Sequence, residues 1–208
     1  MSKTLERRAK QRDSLIEAAE RMVRTRGLAG LKTRDLAQEI GVANGAVYNL
    51  VADVDELVLM VGSRTLARLD ADLSAAESAG PPGPEAALVR IAIAYCDFAA
   101  HNLELWRALF EHRMPADKPL PDWAIADQMH LFRHIHQPLA ALFPQRSFDD
   151  ISLTARSLFS AVHGMVALGL EQKLIAVPVA ALREQIATMV KAMVTGLVAN
   201  SPEPGDAL

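Results

Sequence analysis

The sequence is poor in cysteine and in aromatic residues, and these scarcities exclude several classes of protein. Cys96 is the only cysteine among 208 residues, so no disulfide bond can form within the chain and a reducing, cytoplasmic environment is expected. Aromatic residues make up 5 % of the chain, and β-branched runs are scarce beside alanine and leucine, which favours an all-α protein. The N-terminus has no apolar signal core, and no stretch reaches the roughly 20 apolar residues of a membrane span, so no membrane association is predicted.

The sequence also lacks the common signatures of catalysis. It contains no G-x-S-x-G motif, no glycine-rich phosphate loop and no evident pair of catalytic carboxylates. An enzymatic alternative would use Cys96 as a nucleophile, but the surrounding helix offers no activating group. His130 and His134 lie four residues apart, a spacing that can hold zinc, yet no third ligand stands nearby. We therefore predict that the protein is not an enzyme and that it needs no metal or cofactor.

Charge is distributed unevenly along the chain. Residues 1–52 carry ten Lys/Arg against six Asp/Glu, whereas the remainder carries twelve against nineteen. A basic segment on an acidic body is typical of a protein that contacts phosphates. The alternative is that Arg7, Arg8, Lys10 and Arg12 are only the solvent-exposed start of a helix.

The stretch from Thr33 to Tyr48 has the pattern of two short helices joined by a glycine turn. Thr33 is the expected N-cap of the first helix, and Leu36 begins its apolar stripe. Gly41 supplies the left-handed backbone of the turn, and a second helix is expected to begin near Asn44. This is the helix-turn-helix plan, in which the second helix presents its first residues to the major groove of DNA.

In its order of motifs the chain resembles the TetR family of transcriptional regulators. The resemblance covers roughly residues 10–60, and its core is the run T-R-D-L-A-x-x-x-G-V-x-x-G-x-x-Y that ends at Tyr48. It implies an all-α fold with an N-terminal three-helix helix-turn-helix domain, a C-terminal helical ligand-binding and dimerisation domain, and about nine helices. The stretch Phe159–Met165 also resembles a subtype of the family with a W/F-x-x-x-H-G signature.

The expected organisation is a DNA-binding domain over 1–56, an effector-binding and dimerisation domain over 57–200, and a flexible tail over 201–208. Asp53 and Glu56 form a capping box for a long helix, and the run Gly80–Pro84 is the clearest helix breaker. Asn102 is expected to cap a short helix. Helices are predicted over 4–26, 34–40, 44–50, 54–79 and 84–100, and a further helix begins at 103. Three more are predicted over 122–142, 149–173 and 178–199, the first of them with a bend or end at Pro138.

The resemblance assigns DNA contacts by position, to Thr33, Arg34, Asn44, Gly45, Ala46, Tyr48 and Asn49. Tyr48 is expected to bury its ring and expose its hydroxyl, while Asn44 either reads a base or caps the helix because Ala43 cannot. Leu50 and Val54 stand where relatives carry phosphate-binding histidine and lysine, and acidic residues follow. These departures support an alternative, a dimeric small-molecule-binding protein with weak or lost DNA binding.

The resemblance also places a ligand pocket among the later helices. His136 lies on an apolar stripe with Met129 and Phe132, where a histidine is more often a hydrogen-bonded core residue than a ligand contact. The expected effector is small and hydrophobic or aromatic. The candidate contacts are Cys96, Trp106, Phe110, Trp123, Met129, Phe132, His136, Phe159 and His163.

The eighth and ninth predicted helices, 149–173 and 178–199, are apolar on two faces. A helix with two apolar faces must be buried on two sides, which predicts a homodimer through helices 8 and 9. The predicted function is a ligand-responsive regulator, most simply a repressor, that binds a palindromic DNA operator as a dimer and is released by its effector. Activation instead of repression stays open.

Overall fold

The computed structural model of the protein is all-helical over the residues that it describes, 3–172 and 175–200. Nine α-helices and two short 3₁₀ helices make up this part of the chain, which confirms the predicted all-α fold. The α-helices are α1 (Lys3–Arg26), α2 (Thr33–Glu39), α3 (Val54–Ser78), α4 (Pro84–His101), α5 (Leu103–Glu111), α6 (Asp122–Leu131), α7 (Arg133–Leu142), α8 (Phe148–Leu170) and α9 (Val179–Ala199). The 3₁₀ helices are Leu28–Gly30 and Asn44–Asn49, and the latter is called the recognition 3₁₀ helix below.

The helices form two compact units, each made of two stretches of chain. The first unit is Met1–Arg68 with His101–Gln128, and the second is Leu69–Ala100 with Met129–Leu208. The long helix α3 begins in the first unit and ends in the second, and α5 belongs to the first unit because it packs against α1. The units therefore do not follow the boundary at residue 56, and the functional division into 1–56 and 57–200 stays a prediction.

The core of the first unit is built on the apolar face of α1. As the 3.6-residue period predicts, residues three and four apart on this helix are buried together. Leucine and alanine from α5 complete this core, which the sequence did not predict. Its buried members are Leu15, Ile16, Ala18, Ala19, Met22, Val23, Leu36, Ala37, Val47, Leu50, Val51, Leu57, Val61, Leu105 and Ala108.

The start of α2 differs from the prediction by one residue. Lys32, with an extended backbone, occupies the cap position, and Thr33 is the first helical residue, so the prediction of Thr33 as N-cap is wrong. The carbonyl of Lys32 accepts from the amides of Asp35 and Leu36, both at 3.1 Å. The carboxylate of Asp35 in the first turn lies near the positive end of the helix, which favours this start without a side-chain cap.

The two halves of the helix-turn-helix are joined as predicted, but the second half is not an α-helix. Gly41 has φ of 71°, the left-handed conformation that glycine adopts at least cost. Residues Asn44–Asn49 form a 3₁₀ helix in which Ala46 donates to the Ala43 carbonyl at 2.8 Å. Asparagine and glycine are weak helix formers, and Ala43 offers no side-chain cap, so α-helical geometry is not established here.

In the second unit, Arg90 fixes the end of α3 to α4. Its guanidinium donates to the carbonyls of Ala76, Glu77 and Pro81 at 2.9, 3.0 and 2.9 Å. The side chain thus adds hydrogen bonds to carbonyls at and just beyond the end of the helix, where intrahelical donors run out. The predicted breaker after Ser78 is present, and Gly80 and Gly83 have positive φ.

The predicted helix 122–142 is two helices. The break falls at Phe132, between α6 and α7, and Pro138 lies inside α7. The prediction of a bend or end at Pro138 is therefore wrong in position. A proline strains the helical turn that precedes it, because it removes the hydrogen bond to the residue four before and its ring crowds that carbonyl. The distortion thus lies on the N-terminal side of Pro138, where α7 begins.

The last two helices pack against each other, and α8 also packs against α7. Ser147 caps α8 by accepting from the amide of Asp150 at 3.2 Å. Among the described residues, α8 is the one helix whose length and composition would suffice to cross a membrane, contrary to the expectation from sequence, and 28 % of its most apolar window is buried. The predicted end at Lys173 and the predicted flexible tail over 201–208 lie outside the described residues.

Candidate DNA interface and ligand cavity

The recognition 3₁₀ helix exposes the residues that were predicted to face DNA. Asn44, Gly45 and Asn49 are exposed, whereas Val47 points into the core of the first unit. No cap hydrogen bond is made at Ala43, and the Asn44 side chain has no bonded partner among the described residues. A Cβ at Gly45 would meet no atom within 4 Å, so this face of the backbone is open to a close approach.

Tyr48 is half exposed, at 50 % of its surface, and does not belong to the core. The prediction of a buried ring with an exposed hydroxyl is wrong, because Val47 and Leu50 fill the core beneath it. Tyr48 instead lines an open groove of about 630 Å³ beside the N-terminal part of α1. The groove is bridged by Arg8, which donates to the carbonyl of Asn49 at 2.6 Å.

The exposed cations of the first unit fall into two groups. One group is held by carboxylates within the unit, as Arg12 is by Glu56 at 2.9 Å and Arg21 by Glu39 at 2.8 Å. The other group has no bonded partner among the described residues and stays available to phosphates. It comprises Arg7, Lys10, Lys32, Arg34 and Arg113, all exposed, whereas Arg8 is bonded to the backbone carbonyl of Asn49. Lys32 and Arg34 flank the start of α2, where amides and cations together favour an anion.

The acidic start of α3 is compensated within the first unit. Asp53 bonds to Lys118, a residue of the loop between α5 and α6, and Lys118 Nζ lies 3.8 Å from Asp55 Oδ2. His112 Nε2 lies 3.6 Å from Asp55 Oδ1. The hydrogen bond from Lys118 holds the pKa of Asp53 below its usual value and raises the pKa of the lysine. No local pattern indicates that a cation 65 residues downstream contacts this cluster.

The predicted capping box is realised with a shift of one residue. The amide of Glu56 donates to Asp53 Oδ1 at 2.8 Å, as in the motif. The Glu56 carboxylate reaches back to the amide of Ala52 at 2.5 Å instead of that of Asp53. Glu56 is thereby bonded to both Ala52 and Arg12, so it carries no free negative charge.

A cavity of about 320 Å³ lies inside the first unit, between α3, α5 and α6. Its wall is mostly apolar, and its polar groups are few. Ser63 donates to Asp127 Oδ2 at 2.6 Å, and the buried Nε2 of His112 has no hydrogen-bond partner. The lining residues are Val58, Leu59, Gly62, Ser63, Leu66, Ala108, Leu109, His112, Arg113, Met114, Leu120, Trp123, Ala124, Asp127 and Gln128.

The predicted effector residues are divided between the two units. Trp106, Phe110 and Trp123 belong to the first unit, and of these only Trp123 lines the cavity. Trp106 is buried and its ring centroid lies 5.4 Å from that of Phe110. The remaining six, Cys96, Met129, Phe132, His136, Phe159 and His163, belong to the second unit.

In the second unit an aromatic cluster gathers part of this set. His163 Nδ1 lies 2.8 Å from the hydroxyl of Tyr95, and burial lowers the pKa of the histidine. The ring of Phe159 packs edge-on against Tyr95 and Phe132, with centroids 5.7 and 5.5 Å away. His136 stacks on Phe148 at 4.6 Å. Cys96 is buried, which raises the pKa of its thiol and disfavours the reactive thiolate.

An ionic cluster around a buried histidine, not predicted from the sequence, joins α3 to α7 in the second unit. His134 is 1 % exposed, and its Nδ1 and Nε2 lie 2.8 Å from Glu77 and 3.0 Å from Asp70. Arg133 binds both oxygens of Asp70, and this hydrogen bonding lowers the pKa of Asp70 to about 2. A neutral imidazole has one N–H, so both contacts of His134 are hydrogen bonds to ionised carboxylates only when the ring carries two protons.

The two histidines whose spacing could hold zinc make other contacts. His134 contacts two carboxylates, and His130 Nε2 lies 3.8 Å from Asp70. Over residues 3–172 and 175–200, no group of three or more His, Cys, Asp or Glu side chains is placed to hold a metal ion.

Comparison with known proteins matches both the N-terminal and the C-terminal part of the chain to family models. Residues 15–50 match the family model described as bacterial regulatory proteins of the tetR family. Residues 88–197, more than half of the chain, match the model described as tetracyclin repressor-like, C-terminal domain. The chain belongs to the TetR family. TetR regulators are DNA-binding transcription factors and not enzymes, and they typically act as dimers that respond to small molecules.

Individual TetR relatives are distant. The chain is 27 % identical over 109 residues to the HTH-type transcriptional regulator BetI of Brucella suis, a match that covers 51 % of the chain and 55 % of that relative. The match thus spans about half the length of the curated relative.

Two solved structures share the fold over most of their length. One is a protein of unknown function from Rhodococcus sp. RHA1, with a TM-score of 0.71, 22 % identity, and 88 % of this chain and 94 % of that one covered. The other is the fatty acid degradation regulator FadR of Bacillus halodurans, with a TM-score of 0.66, 13 % identity, and 87 % and 94 % covered. At these identities the likeness concerns the fold.

Proposed function

We propose that the protein is a ligand-responsive transcriptional repressor that binds a palindromic operator as a homodimer. The observation that carries this proposal is the exposed face formed by the start of α2 and the recognition 3₁₀ helix. Arg34 and Lys32 are unpaired there, and Asn44 and Gly45 are open to a base edge. Thr33, Ala46, Tyr48 and Asn49 complete the proposed contact set.

The test is a fluorescence anisotropy titration with DNA from the chain's own upstream region, across a range of salt concentrations. Arg34→Ala is expected to weaken binding and to reduce the slope of log K against log salt by about one per subunit. Lys191→Ala, which removes an exposed cation from α9, is the matched control and is expected to bind as the wild type does. Absence of DNA binding at low salt would favour a dimeric small-molecule-binding protein that has lost its operator.

We assign the homodimer interface to α8 and α9. Leu153, Ser157, Gly164 and Leu168 follow one another on a face of α8 that the chain itself leaves largely uncovered. On α9, Met189 and Gly196 mark a comparable face. A Cβ at Gly164 or at Gly196 would meet nothing within 4 Å, so both helices can accept a closely packed partner. This arrangement also accounts for an apolar α8 that is mostly unburied in one chain.

Sedimentation equilibrium tests this assignment. Leu168→Glu is expected to convert a dimer into a monomer, because a carboxylate would be buried without a partner in the interface. Ile125→Glu makes the same chemical change at an equally exposed residue on α6 and is expected to leave the dimer intact. Equal mass distributions for the two variants would contradict the assignment.

We further propose that the cavity of the first unit takes a small hydrophobic or aromatic effector. Its apolar wall carries few polar groups, and its α3 side belongs to the helix that directly follows the recognition 3₁₀ helix. A ligand there has a direct physical route to the DNA-facing residues. Trp123 is the predicted effector contact that lines it, and the aromatic cluster of the second unit with Phe132, Phe159 and His163 is the second candidate.

Binding of 1-anilinonaphthalene-8-sulfonate distinguishes the two candidates. If the cavity is the site, Gly62→Leu, which fills it from α3, abolishes the fluorescence increase, and Phe159→Leu leaves it unchanged. The opposite pattern would assign the ligand to the second unit. Addition of the same dye to the protein–DNA complex then measures whether occupancy changes operator affinity.

A further inference from the structure

The N-terminus of α3 carries a concentration of negative charge close to the proposed DNA-facing residues. Asp53 and Asp55 follow Asn49, the last residue of the recognition 3₁₀ helix, by four and six positions. Both side chains retain some exposure to solvent. Two uncompensated carboxylates at this place would repel the phosphate backbone that the adjacent exposed residues approach.

The first unit brings a cation to this cluster from a remote part of the sequence. Lys118 leaves the loop between α5 and α6 and contacts both carboxylates, with the shorter contact to Asp53. His112, at the end of α5, approaches Asp55 from the same side. The contacts do not require DNA, so the compensation is built into the protein before any partner binds.

We propose that Lys118 is a positioning residue of the DNA interface, which offsets part of the negative charge of Asp53 and Asp55 and so permits the phosphate backbone to approach the start of α3. The inference rests on the proposed DNA-binding function. It assigns a role in that function to a loop outside the helix-turn-helix. It also explains how the chain tolerates Asp53 and Asp55 on either side of Val54, close to the proposed DNA-facing residues.

The loop that holds Lys118 is also part of the wall of the cavity. Met114 precedes the lysine and Leu120 follows it, and both line the cavity of the first unit. A displacement of this loop would separate Lys118 from Asp53 and expose the negative charge. DNA affinity is therefore expected to depend on the position of the loop. The cause would be the exposed charge of Asp53, and the recognition residues would not need to move.

The test is a charge cycle measured by fluorescence anisotropy with the full chain and the upstream DNA. Lys118→Gln is expected to weaken binding about fivefold at low salt, as follows from the loss of one positive charge several ångströms from a few phosphates. The loss should shrink as salt rises. Lys118→Arg keeps the charge and should bind within about twofold of the wild type.

The second mutation of the cycle separates charge from structure. In Lys118→Gln combined with Asp53→Asn, most of the lost affinity should return, because asparagine removes the repulsion and still caps α3 through its side-chain oxygen. If Lys118 only anchored the loop, this double variant would bind as weakly as the single variant. Arg113→Gln removes an unpaired cation from the same loop and is expected to have a smaller effect.

The outcomes separate this inference from the proposed function. Wild-type protein that binds no DNA at any salt overturns the proposed function itself. Wild-type protein that binds DNA, together with a Lys118→Gln variant of unchanged affinity, overturns the inference alone. An Arg113→Gln variant as impaired as Lys118→Gln, or a double variant without recovery, also overturns it.

Discussion

Asp70 is the residue whose replacement gives the sharpest test of the ionic cluster between α3 and α7. Its Oδ2 accepts from Arg133 Nη2 at 3.0 Å, and its Oδ1 accepts from Arg133 Nη1 and lies 3.0 Å from His134 Nε2. Asp70→Asn keeps the shape of the side chain but removes its charge. The amide leaves Arg133 without a charged acceptor and leaves the buried His134 with Glu77 alone.

Two considerations give the size of the effect. The lowering of the Asp70 pKa to about 2 corresponds to roughly 2 kcal/mol in favour of the folded, ionised form. A quarter of the side chain is exposed, so solvent screening reduces this to about 1–2 kcal/mol of unfolding free energy. For a chain of this length, the melting temperature should fall by roughly 2–8 °C.

The pH dependence follows from the direction of the shift. A carboxyl with a lowered folded-state pKa contributes its full stability above the unfolded pKa of about 4 and loses it as pH falls toward 2. Urea unfolding followed by circular dichroism should therefore separate wild type from Asp70→Asn at pH 7, and the difference should shrink toward pH 3. Asp72→Asn, an exposed carboxylate on the same helix, is the control. Equal stability of the Asp70 and Asp72 variants at pH 7 would refute the reasoning.

Three further predictions concern the first unit. Gly41→Ala should lower the free energy of unfolding by about 1 kcal/mol in thermal melts, because alanine is strained at φ of 71°; an unchanged melting temperature would count against it. Leu50→His, which restores the residue common among relatives, should destabilise the fold by about 2–4 kcal/mol and not strengthen DNA binding, because Leu50 is buried in the core. Leu36→Ala should cost about 2–5 kcal/mol in urea titrations, whereas Leu5→Ala, at an exposed residue of α1, should cost less than about 0.5 kcal/mol.

The local part of the fold was predictable from sequence because its determinants are local. The face of α1 from Leu15 to Val23 follows helical periodicity, and the left-handed turn at Gly41 depends on one residue. The recognition element was placed correctly along the chain but given the wrong helix type. Weak helix formers at Asn44 and Gly45, and the missing cap at Ala43, were visible in the sequence and favoured the looser geometry.

The contacts that compensate charge were not predictable, because they join residues far apart in sequence. From the sequence alone, the acidic start of α3 is unfavourable for DNA binding. In the fold, Lys118 and His112 lie beside these carboxylates. Similarly, His134 was considered for zinc from its spacing to His130, whereas its actual partners are Asp70 and Glu77 on α3. No periodicity in the sequence relates residues on different helices, so only the tertiary fold identifies such partners.

The weak attachment of α6 has a consequence for how the cavity fills. Within the described residues, Ala124 is the only buried side chain of this helix, and its polar contacts with α3 are the bond from Ser63 to Asp127 and the approach of His130 Nε2 to Asp70 at 3.8 Å. A helix with so little buried surface opens locally at low free-energy cost, long before the core of its unit unfolds. Its amides should exchange with solvent faster than those of α1. Transient opening of α6 would then admit a ligand into the cavity without disturbing the core that holds the recognition residues.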